Sequence, residues 1–108
     1  MQRDQIRKAS VLKLAELVEY QKGAVVSREI IRKDTGTVTV FSFGKGEGLS
    51  EHTAPFDALV YILDGRAQIF ISSRQHVLKK GELIIMPAGK THSLKAISKF
   101  KMLLVMIK

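Results

Sequence analysis

From residue 24 onward the chain is a succession of short apolar and β-branched runs cut by turn residues, and no helix-sized segment separates them. The runs are AVVSREIIRK (24–33), TVTVFSF (37–43), DALVYIL (57–63), RAQIFIS (66–72), HVLKK (76–80), ELIIM (82–86), THSLKAI (91–97) and FKMLLVMIK (100–108). Each has strand length and strand composition. Between them stand Asp34-Thr35-Gly36, the glycine-rich GKGEG (44–48), Asp64-Gly65, Gly81 and Pro87-Ala88-Gly89. These are turn signals, and Asp-Gly is a hairpin signal. Eight or nine strands with gaps this short predict an antiparallel sandwich or barrel.

Ahead of the strands, SVLKLAELVEY (10–20) carries helical spacing. Val11, Leu14, Ala15 and Val18 fall at i, i+3, i+4 and i+7; Ser10 is placed to cap the start and Gly23 to end it. The expected organisation is one domain over 1–108, with a helical extension at 1–23 and a β-barrel at 24–108.

The chain has 108 residues, 45% of them hydrophobic, which is enough for one core and too little for two. No cysteine is present, which excludes disulfides and thiolate chemistry. No run approaches the ~20 apolar residues of a membrane span, and the charged MQRDQIRKAS start is unlike a secretion signal. The expectation is a soluble cytoplasmic protein with no membrane partner. Eighteen Lys and Arg against ten Asp and Glu leave a charge of +8. The basic residues are spread along the chain, and the five Phe and two Tyr sit in apolar runs rather than between cations. A nucleic-acid surface needs that interleaving, so no nucleic-acid partner is expected.

Of three histidines, His76 lies among polar neighbours in SSRQHVLKK and is expected to be exposed and uninvolved. His52 and His92 are different: each is expected to open a strand, directly after a turn stiffened by glycine or proline. A rigid sandwich often carries its ligands at such junctions.

Their spacing resembles that of the small cupins, double-stranded β-helices of the jelly-roll class. The cupin pattern G-x5-H-x-H-x3-E-x6-G falls here on Gly46, His52, Ala54, Ala58 and Gly65. The second pattern, G-x5-P-x-G-x2-H-x3-N, falls on Gly81, Pro87, Gly89, His92 and Ala96. Every frame glycine and proline is in place, over roughly residues 36–107. The resemblance implies an all-β jelly-roll barrel with a short N-terminal helix.

It also implies a metal site of two histidines and a carboxylate from the first motif and one histidine from the second. Ala54 stands for the second histidine, Ala58 for the glutamate and Ala96 for the frequent asparagine, so His52 and His92 alone remain as metal ligands. Stable sites supply three or four ligands. The expected cofactor is therefore none, or a weakly bound divalent ion among Mn, Fe, Ni and Zn. Asp57 is one residue from the glutamate slot and faces away unless a bulge shifts the register.

Strand alternation puts Ala54, Ala58 and Val60 on the face of His52, and Leu94 and Ala96 on the face of His92. Small apolar side chains thus replace the missing ligands. With Met86, Met102 and Met106 as flexible filling, and Phe56 over the mouth, they suggest an apolar small-molecule pocket in which His52 and His92 are polar contacts. Tyr20 and Gln21 are candidates for its rim. DALVYIL and FKMLLVMIK are apolar on both faces, so one face wants cover from the N-terminal helix or a second subunit; a homodimer is expected. The reading favoured is a small-molecule binder. A metal-dependent dioxygenase- or isomerase-type enzyme using His52 and His92, and a structural module with a filled barrel, stay open.

Overall fold

The computed structural model describes residues 6–108. Nine strands run in chain order: β1 (Val25–Lys33), β2 (Gly36–Phe43), β3 (Gly48–His52), β4 (Ala58–Asp64), β5 (Arg66–Ile71), β6 (Arg74–Lys79), β7 (Leu83–Met86), β8 (His92–Ala96) and β9 (Phe100–Ile107). They form two antiparallel sheets, β1-β2-β9-β4-β7 and β3-β8-β5-β6, packed face to face as a jelly-roll barrel.

Alternation along each strand builds the core. Ala58, Val60 and Ile62 of β4, Ala67 and Ile69 of β5, Leu94 and Ala96 of β8, and Phe100 and Met102 of β9 all point inward and are buried. Phe43 and Phe100, register partners of β2 and β9, stack with ring centroids 4.5 Å apart. Each large ring removes roughly 150–250 Å² from water.

The four motif glycines, Gly46, Gly65, Gly81 and Gly89, have positive φ. Gly65 shows the need most sharply. Its φ is +76°, and a Cβ there would run into the Lys99 carbonyl and the Phe100 side chain. Only glycine makes this β4–β5 turn against the start of β9.

The helix expected over 10–20 shrinks to a single 3-10 turn, Leu14–Glu16, with no side-chain cap. Helical spacing is present, yet Val11 is fully exposed and only Val18 of the expected stripe is buried. The reason is tertiary. The Ala15 carbonyl accepts from Lys101 Nζ at 2.5 Å and the Glu19 carbonyl from the buried Ser42 hydroxyl at 2.8 Å. Backbone groups that a helix would pair internally are paired with β2 and β9 instead, and packing overrides propensity. The segment forms a strap over the outer face of the five-stranded sheet at the Lys101 end. Beyond it Leu83, Ile85 and Ile107 are exposed.

Candidate functional site

His52 and His92 are brought together by a strand that the sequence reading passes over. Gly48–His52 is β3, and His52 closes it rather than opening β4. β3 pairs with β8 through Leu49↔Leu94 and His52↔His92, so three steps along β3 oppose two along β8. That extra residue is a bulge, which turns His52 onto the face of Leu49 where plain alternation would have put Glu51.

The pair has a defined geometry. His52 Nε2 and His92 Nε2 lie 3.0 Å apart, with the rings edge to face at 78°. His52 Nδ1 donates to the Ser50 carbonyl at 2.7 Å. Which Nε2 donates between the two rings follows from the tautomer each adopts. His92 Nδ1 is buried and makes no close hydrogen bond among the described residues. His92 is only 4% exposed, whereas His52 is open to solvent. Burial, and secondarily the neighbouring His52, push the His92 pKa below its usual value, with the Lys90 backbone opposing. His92 is thus a neutral imidazole at pH 7.

Two latches hold the loops around the pair. Gly89 N donates to the Ala54 carbonyl at 2.8 Å, and Ala88 N donates to Asp57 Oδ1 at 2.8 Å. Asp57 is therefore committed to the Pro87-Ala88-Gly89 turn. Ala58 is buried opposite Met86 of β7 and Met106 of β9, and Ala96 opposite Ala67 of β5. Ala58, Met86, Ala96 and Met102 belong to one core cluster, against which Met106 packs. Ala54 is half-buried. Phe56 lies elsewhere: with Leu59, Ile85, Val105 and Ile107 it lines a groove on the outer face of the five-stranded sheet, under the Lys108 ammonium. Tyr20 and Gln21 line a different groove, at the far end of β8. His76 is half-buried in β6 rather than exposed, opposite Ile69.

The profile of the Cupin domain family matches residues 39–108, about two thirds of the chain and both histidines. The chain belongs to the cupin family. This cupin is similar to a conserved protein of unknown function from Streptococcus pyogenes, at 38% identity over 97% of this chain and 92% of that one, with a TM-score of 0.92. A cupin superfamily protein from Desulfitobacterium hafniense shares 29% identity over 99% and 98% of the two chains, with a TM-score of 0.89. A cupin 2 conserved barrel domain protein from Leptotrichia buccalis shares 42% identity over 90% of this chain, which spans about half the length of that protein, with a TM-score of 0.87. No curated protein matches significantly.

The cupin family implies a metal, and the donor set here does not fit one. Two imidazole nitrogens face each other, and among the described residues no group of three or more His, Cys, Asp or Glu side chains converges. Asp57 is bonded to Ala88, and Ala58 has no donor to offer. The arrangement offers hydrogen bonds at an apolar wall.

Among the described residues no helix is long and apolar enough to cross a membrane.

Proposed function

We propose that this cupin binds a small molecule at the mouth of its barrel, with His52 and His92 as the polar contacts. Ala54, Ala58, Met86, Ala96, Met102 and Met106 supply the apolar side. One observation carries the reading: two imidazoles meet Nε2 to Nε2 at 3.0 Å, and the His52 ring of the pair is open to solvent. A ligand bearing a hydrogen-bonding group can pair with the exposed His52 ring, and its apolar remainder suits the surrounding alanines and methionines.

The test is a titration followed on the imidazole nitrogens by NMR, using a library of small amides, alcohols and heteroaromatics that each carry one donor. Binding compounds are expected to shift the His52 ring nitrogens, and His52→Ala is expected to weaken them. A library that leaves both rings unmoved speaks for a barrel that is only a structural module.

A metal-dependent enzyme of the dioxygenase or isomerase type has one observation in its favour. Two imidazoles bound at right angles to one ion, each ~2.1 Å from it, have their nitrogens ~3.0 Å apart, and the Nε2 pair has that spacing. The missing third donor weighs against it.

We also propose a homodimer through the outer face of the five-stranded sheet. The exposed Leu83, Ile85 and Ile107 beyond the strap support it, since contiguous apolar surface on a small domain marks an interface.

A further inference from the structure

A groove of about 460 Å³ opens where the strap meets the β8–β9 turn. Tyr20, Gln21, Lys22, Gly44, Lys45 and Ile97 line it, with Ser98 and Lys99 closing the wall. The volume is in the range of small-molecule sites. Two features set it apart from an ordinary solvated surface.

The first is a fixed apolar floor. Tyr20 is held by its hydroxyl, which donates to Asp64 Oδ2 at 2.6 Å. Its ring is flanked by Lys99 Nζ at 4.6 Å and Lys101 Nζ at 4.9 Å from the centroid. Burial, with Asp64, raises the Tyr20 pKa, so the phenol stays neutral. Ile97 stands in the same wall and is 40% exposed.

The second is charge of one sign. Among the described residues, Lys22, Lys45 and Lys99 line the groove and no acidic residue does. Lys101 is engaged by the Ala15 carbonyl and is not a wall residue. Three ammonium groups around an aromatic and aliphatic floor complement an anion that carries an apolar body. Lysine acts as a point charge without the planar fork of arginine, so the head group need not be planar.

We propose that this groove is a second binding site, for a small organic anion with an apolar body. It is separate from the histidine pair. His92 opens β8 and Ile97 follows its end, a span of about 17 Å at ~3.4 Å per residue. Binding here therefore does not depend on the barrel mouth.

The test uses three probes on the intact protein: 2-naphthyl phosphate, 2-naphthol and inorganic phosphate, each followed by amide NMR. The naphthyl phosphate is expected to shift Gly44, Lys45, Ile97 and Lys99, at least tenfold more tightly than either other probe and more weakly as salt rises. Lys45→Gln and Lys99→Gln are each expected to weaken it several-fold, and His52→Ala to leave it unchanged. The ammonium groups over the Tyr20 ring are those of Lys99 and Lys101, so Lys45→Gln tests the groove while leaving those contacts in place. Equal binding of inorganic phosphate would show a solvated basic surface only and overturn the proposal. So would shifts confined to His52 and His92, or an affinity indifferent to both lysine variants.

Discussion

His52 Nε2 and His92 Nε2 lie 3.0 Å apart across the register pair that joins β3 to β8. One ring faces solvent and the other is buried. The exposed ring is fixed by the Ser50 carbonyl.

Replacing the buried ring by a shape-matched apolar one should cost little. His92→Phe removes a buried nitrogen that makes no close hydrogen bond among the described residues, and the His52 Nε2 it deserts is free to meet water. The expected change in unfolding free energy is within about 1 kcal/mol of zero, read from urea titration. A loss above about 3 kcal/mol would mean that His92 is a fully satisfied structural residue.

The same residue sets a pH dependence. Its folded pKa is below the ordinary 6.5. As pH falls through about 6.5 the unfolded chain takes up this proton first, so the stability linked to His92 is complete above that pH. It is lost progressively as pH drops toward the folded pKa. Urea midpoints between pH 7.5 and 5.5 should fall more steeply for the wild type than for His92→Phe, by at most one proton's worth, ~1.4 kcal/mol per pH unit. Parallel slopes would contradict the assignment.

Glycines of the two motifs should separate by what surrounds them. Gly65→Ala meets the Lys99 carbonyl and Phe100 in addition to an unfavourable φ, whereas Gly81→Ala, at φ +89°, meets nothing within 4 Å. The first is expected to cost upwards of 3 kcal/mol or to prevent folding, the second about 1–2 kcal/mol of backbone strain alone. Thermal melts of the two variants compare them directly.

One buried hydroxyl helps to hold the strap. Ser42→Ala removes its bond to the Glu19 carbonyl and should cost about 1–2 kcal/mol. Hydrogen exchange should quicken at residues 14–22 before it does in the core strands. Uniform quickening throughout the chain would mean that the strap and barrel unfold as one unit.

Much of the fold was legible because turns need particular backbone angles. Gly46, Gly65, Gly81 and Gly89 announce themselves by position and all adopt positive φ. β3 was not legible: Gly48-Leu49-Ser50-Glu51-His52 has one apolar residue, and its inward face is created by a bulge that no alternation encodes. For the same reason the role of Ser50 was invisible. The 10–20 segment misled in the opposite way, since its period is helical but its carbonyls are taken by Ser42 and Lys101, residues far along the chain. Of the candidate site residues, the two histidines meet because both motifs hold them in register. Phe56 goes to the outer face because Asp57 and Ala54 tie its loop to the Pro87-Ala88-Gly89 turn.

The most direct test of a hydrogen-bonding rather than metal-holding histidine pair is metal content. Untagged wild-type protein, His52→Ala and His92→Ala should be purified without chelator and analysed by mass spectrometry for Mn, Fe, Ni and Zn. The account predicts well under one equivalent of any metal in the wild type and no change in either variant. One equivalent per chain in the wild type, lost in both variants, would contradict it.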